Sequence, residues 1–129
     1  MASGLPASTG DILTAATVNG LVTFTIGADN TSDYTAVIAD AYQVLEVMNK
    51  ATAIAFKIPT DASVAFPVGT AISIYNKGAG LCTISAVTPG TTTVVSAAAV
   101  SASPTLAQYK VAVAIKLAAN SWVVTGAIA

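Results

Sequence analysis

Six carboxylates, five lysines and one cysteine carry nearly all the reactive chemistry of this chain, which has no histidine and no arginine. Without His there is no Ser–His or Cys–His pair to activate a nucleophile. Cysteine clusters and HExxH helices for zinc are missing as well. Two carboxylates could in principle flank a glycosidic bond. All six acids precede residue 62, however, and none borders an aromatic-rich stretch that would grip a sugar. Asp29, Asp33 and Asp40 read instead as loop-tip and cap residues. Asp29-Asn30-Thr31-Ser32-Asp33 has the opening acids of a calcium loop but lacks its central Gly and its distal bidentate Glu. Gly78-Ala79-Gly80 is followed by neither GK[ST] nor a helix signal, so it is no phosphate cradle. The inventory points away from an enzyme, and neither a cofactor nor a metal is expected.

Two single residues complete the chemical reading. Cys82 has no partner for an intrachain disulfide and sits in the alternating run Leu81-Cys82-Thr83-Ile84, as a small buried apolar side chain would. A reactive thiol would want a cationic neighbourhood. Trp122 could anchor an interface or plug a core against Ile72 and Ile74, and the core is its expected place. The lysines are spread thinly along the chain, as a solvated or edge-protecting set.

Charged residues make up 9% of the sequence, against roughly a quarter in an ordinary domain. Such a chain is expected to cover much of its surface with copies of itself or with a partner lattice. A net charge of −1 offers no basic stripe for nucleic acid and no polybasic segment for an anionic membrane. The charge-free segment Gly78–Gln108 is interrupted throughout by Gly, Thr, Ser and Pro, unlike a spanning helix. Met1-Ala2-Ser3-Gly4-Leu5-Pro6 lacks the basic and apolar regions of a signal peptide, so synthesis in a cytoplasm is the expectation.

The elements that must position these side chains are strands. Residues 1–20 read as an extended arm with a short turn, capped by Asp11 or Thr14 and stopped at Asn19-Gly20. Residues 21–129 read as one β domain, large enough to bury a core. Pattern and turn signals predict strands at Val22–Ile26, Tyr34–Ile38, Gln43–Met48 (where a helix over Ala39–Met48 is the alternative, with β-branched Val44 and Val47 favouring strand), Ile54–Ile58, Thr70–Tyr75, Leu81–Val87, Thr91–Val95, Tyr109–Leu117 and Trp122–Thr125. The Gly-rich Asn76–Gly80 turn predicts a hairpin between the fifth and sixth of these. In Tyr109–Leu117, Tyr109, Val111, Val113, Ile115 and Leu117 share one face, with Lys110, Ala112, Ala114 and Lys116 on the other. The expected fold is all-β, an antiparallel sandwich or small barrel with an extended N-terminal arm. The lack of a fixed repeat weighs against a β-solenoid.

The run Ala62-Ser63-Val64-Ala65-Phe66-Pro67-Val68-Gly69-Thr70, an alternating strand to Tyr75, then Gly78-Ala79-Gly80 and Cys82-Thr83-Ile84, resembles a module of tailed-bacteriophage virion surface proteins. Ile54–Pro59 matches the strand leading into that loop, and Gln108–Gly126 looks like the closing hairpin of the module. Asp11–Asn19 is similar to a leader phrase of phage fibre and decoration proteins. The resemblance implies a virion structural protein. A capsid decoration (cement) protein is expected, bound outside the phage head and stabilising contacts between major capsid subunits. A head- or tail-fibre, receptor-binding module is the alternative. The expected partners are the major capsid protein and the chain itself, as a homo-oligomer and most simply a trimer. Leu5, Pro6, Ile12 and Leu13 of the arm are the expected capsid contacts.

Overall fold

A computed structural model describes residues 23–97 and 103–129. The expected arm over residues 1–20, with Leu5, Pro6, Ile12 and Leu13, lies outside the described residues. Nearly all regular structure is β: β1 (Thr25–Asn30), β2 (Tyr34–Thr35), β3 (Val44–Met48), β4 (Ile54–Ile58), β5 (Ala71–Asn76), β6 (Cys82–Ala86), β7 (Thr93–Ser96), β8 (Thr105–Leu106), β9 (Lys110–Ala118) and β10 (Ser121–Gly126). A single 3-10 turn at Ile38–Ala41 lies between β2 and β3. The strands form a larger, six-stranded sheet in the order β1-β3-β5-β9-β10-β7 and a smaller, four-stranded one in the order β2-β4-β6-β8. The two pack around one apolar core.

The two-sheet, all-β architecture is the expected one, but the pairing within the sheets is mixed rather than antiparallel. β1, β3 and β5 run parallel in the larger sheet, while β2, β4 and β6 run parallel in the smaller one. Successive strands alternate between sheets, so β1 to β6 wind as a flattened coil. Antiparallel pairing enters with β8 on β6, β9 on β5 and β10 on β9, and β7 closes the far edge parallel to β10. The sequence shows no period because the turns differ in length: Thr25 faces Val44, whereas Leu45 faces Ser73. The weighing against a solenoid is therefore corrected for β1 to β6.

The expected hairpin at Asn76–Gly80 is likewise a corner between sheets. Lys77 N and Gly78 N donate to Met48 O at 2.8 and 3.2 Å, and Gly80 N donates to Lys50 O at 2.8 Å. These bonds stack the corner on the preceding turn of the coil. A Cβ on Gly80 would overlap the Thr52 carbonyl, and one on Gly78 would overlap the Lys50 backbone. Only glycine permits that approach, which is a structural reason for the Gly-Ala-Gly run.

Alternation sets the core. Ile54, Phe56 and Ile58 of β4, Cys82 and Ile84 of β6 and Leu106 of β8 point inward from the smaller sheet. Ile72 and Ile74 of β5, Ala112 and Ala114 of β9, and Trp122 and Val124 of β10 meet them from the larger one. Burying a large apolar side chain is worth about 1.5–3 kcal/mol. Trp122 is a core residue, as expected. Phe66 meets it edge-on, with ring centroids 5.5 Å apart at 89°. The Phe66–Thr70 loop is pinned in turn: Thr70 Oγ1 donates to Pro67 O at 2.7 Å and Gly69 N donates to Lys116 O at 2.8 Å. The β9–β10 turn places Asn120 at φ 51°, a left-handed conformation that Asn tolerates better than most residues.

Candidate functional site

The two sheets present very different outer faces. Since Ile72, Ile74 and Asn76 of β5 are buried, Ala71, Ser73 and Tyr75 point out. The same reasoning turns Leu45 and Val47 of β3 to that side, with Val111, Val113, Ile115 and Leu117 of β9, Val123 and Thr125 of β10, and Val95 of β7, although Val47 and Ser73 are themselves buried there. Register lines these into rows across the sheet. Ile26, Leu45, Ser73, Val113 and Thr125 form one; Asp29, Val47, Tyr75 and Val111 form another; Ala71, Ile115, Val123 and Val95 form a third. Ile26 is 64% exposed and Leu117 54%. Asp29, at the β1 end of its row, is the one charged residue among them. At the margin, Asp29 of β1 is bound by Lys77 at 3.1 Å and by Asn49 Nδ2 at 2.9 Å, which hold its carboxyl below the usual carboxylate range.

A groove of about 460 Å³ continues this face at the start of β1, β3 and β5. Phe24, Val68, Ala71 and Ser73 are among the residues lining it, and Gln43 supplies a polar amide. The outer face of the smaller sheet is polar by comparison: Thr35, Lys57 and Ser85 form one row, and Ala55, Thr83 and Thr105 the next. There Lys57 reaches Asp33 at 3.9 Å.

β9 is where the structure departs furthest from a simple reading of apolar side chains. Its larger ones, Val111, Val113, Ile115 and Leu117, look outward, and Ala112, Ala114 and Lys116 face the core. The bulk of Trp122 and Phe66 fills the space behind β9, so small residues fit there. Lys116 corrects the expectation of a solvated lysine set: it is 4% exposed. Its Nζ donates to Asp61 Oδ1 at 2.8 Å and to Phe66 O at 2.6 Å. Asp61 Oδ2 also accepts from Asn120 N at 3.2 Å, and Asn120 Oδ1 accepts from Asp61 N at 2.9 Å. This ion pair ties the Asp61–Phe66 loop to the hairpin.

A second buried polar cluster lies behind β3. Tyr34 Oη lies 2.8 Å from Asp40 Oδ2 and 3.2 Å from Glu46 Oε2, able to donate its proton to one at a time. Asp40 accepts from Val37 N at 3.0 Å, capping the 3-10 turn as expected of it. Asn30 Nδ2 donates to Glu46 Oε1 at 3.2 Å. Burial, with the Asp40 carboxyl beside it, pushes Glu46 up to about 7, against the Asn30 and Tyr34 hydrogen bonds that lower it. Burial and the two acids together raise the Tyr34 phenol as well. Glu46 was not among the residues the sequence singled out; its phase was the available signal, since it alternates inward with Val44 and Met48.

The remaining candidates find separate places. Asp29 lies within β1 rather than at a loop tip, because the strand runs on through Gly27–Asn30. Asp33 accepts from Ala55 N at 3.0 Å, so the two acids of the calcium-like run are drawn to different partners. Cys82 is buried, and burial pushes its thiol up to about 11, a poor nucleophile. What the arrangement offers is a broad, largely apolar surface with one ion pair, Asp29–Lys77, at its edge, and such a surface gains free energy when covered. Comparison with protein-family models, with curated proteins and with solved structures found no match to this chain.

Proposed function

We propose that this chain is a virion structural protein, a capsid decoration protein that binds outside a phage head and stabilises contacts between major capsid subunits. The observation that carries the reading is the largely apolar outer face of the larger sheet, charged only at its Asp29–Lys77 edge, which suits a protein that works while covered. The resemblance of Ala62–Ile84 to phage surface modules supports the same reading. The major capsid protein and further copies of the chain are its partners, with three copies about a local three-fold axis as the simplest assembly. Leu5, Pro6, Ile12 and Leu13 supply the apolar capsid contacts. Several arms on one oligomer multiply attachment through effective concentration.

Co-sedimentation with undecorated capsids tests this. The full chain pellets with capsids, and a chain lacking residues 2–13 stays in the supernatant while keeping its β-sheet circular dichroism. Decoration by the truncated chain overturns the arm contact, and no co-sedimentation of the full chain overturns the decoration role. The fibre reading is favoured by one observation: β1 and β2 are edge strands at the same end of the coil, where a preceding coil could stack. Binding to host cells without affinity for capsids selects it.

A further inference from the structure

We infer that the outer face of the larger sheet is a self-interface, covered by another copy of this chain packed sheet on sheet. The inference rests on the reading of this chain as a protein that functions while covered, and names what covers this face. Charge is the first argument. Apart from the Asp29–Lys77 ion pair at its β1 edge, the face carries no charge, so it gives a charged partner little to pair with, and two copies can approach through it without a net charge on either side. The charges of the smaller sheet, Lys57 and Asp33, lie on the opposite side of the sandwich and stay in water when the larger sheets meet.

Size is the second. Six strands about 4.8 Å apart, each some five residues long at about 3.3 Å per residue, span roughly 500 Å² in projection. Side-chain relief raises the accessible area toward the roughly 800 Å² per partner of a standard interface. Such a patch is at the upper end of what a soluble monomer exposes. The third argument is the phase of β9. Its larger side chains, Val111, Val113, Ile115 and Leu117, lie on the outer side, as they would if that side were a second core. Stacked sheets interdigitate such residues about 10 Å apart.

The test is the mass of the full-length chain by light scattering, from dilute to concentrated solution, beside the variant Ile115→Asp. Ile115 lies in the row with Ala71 and Val123. A dimer is expected, with self-association weakened at least about a hundredfold by the buried carboxylate. A chain that is monomeric throughout, or an oligomer indifferent to Ile115→Asp, overturns the inference. Should Ile115→Asp fail to fold, Ile115→Cys serves, because the native Cys82 is buried. Maleimide labelling at position 115 then slows as concentration rises; an unchanged rate overturns the inference.

Capsid co-sedimentation in parallel separates this from the decoration reading. A monomer that still decorates capsids removes the self-interface alone. An oligomer without capsid affinity supports the self-interface and removes decoration. A dimer supports it and removes the three-fold arrangement.

Discussion

The two sheets place their charged side chains in opposite ways. The smaller sheet keeps Phe56 and Ile58 inside and turns Lys57 out to water beside Asp33. The larger sheet does the reverse at two positions: Glu46 and Lys116 point inward, while Val113, Ile115 and Val123 point out and the exposed charges Asp29 and Lys110 lie near its ends. Burying charge costs several kcal/mol per ion unless partners satisfy it. Leaving aliphatic residues on the surface forgoes the gain of covering them. Both departures fall on the same sheet, and both make sense if its outer face is used as an interior. The smaller sheet follows the ordinary rule, with Lys57 and Asp33 partly exposed on its outer side.

The comparison breaks most sharply at Lys116. Asp61→Ala leaves the ammonium behind β9 with Phe66 O as a neutral partner, where removing one member of a buried pair costs about 3–5 kcal/mol. A large fall in the urea midpoint is the expected outcome. Lys116→Met removes charge and need for a partner together, so it is expected to be near neutral or stabilising. A midpoint unmoved by Asp61→Ala would mean that Lys116 reaches water, and the larger sheet would lose half of its inversion.

The other buried charge gives a pH dependence. Glu46 has a folded-state pKa of about 7 against an ordinary 4.5, so the folded chain holds the proton more tightly than the unfolded one. The stability this contributes is fully present below about pH 4.5 and is lost as pH rises through about 7. Thermal melts at pH 5 and pH 8 should therefore show the lower midpoint at pH 8, and Glu46→Gln should shrink the difference. A melting temperature that rises over that range would mean the cluster of Asp40, Tyr34 and Asn30 around Glu46 favours the charged form.

Which parts of this were legible follows from what alternation can and cannot say. Ile54-Ala55-Phe56-Lys57-Ile58 declares its strand and its inward set, because the two sets differ in kind. Alternation also divides β9 correctly into Val111, Val113, Ile115 and Leu117 against Ala112, Ala114 and Lys116. It does not say which set is inside, since that depends on Phe66 and Trp122 filling the space behind. Parallel pairing was hidden for a similar reason: the Gly-rich Asn76–Gly80 turn suits a hairpin as well as a corner. The corner is required by the backbone of Lys50–Thr52 close against Gly78 and Gly80, a contact distant in sequence. β8, at Thr105–Leu106, is too short to announce itself.

The smallest effect sharpens the comparison from the polar side. Thr83 and Ser85 of β6 point outward beside Ala55 and Lys57. Replacing both, Thr83→Val with Ser85→Val, alters surface groups, so stability should change by no more than about 0.5 kcal/mol. The informative readout is mass in solution. If the larger sheet associates because its apolar rows are extensive and charged only at the Asp29 edge, two valines bordered by Lys57 should leave the mass of the assembly as it was. A further doubling would mean that any small apolar patch on this fold recruits a copy. The extent and neutrality of the larger face would then be no special cause, and its Val and Ile rows would need a different explanation.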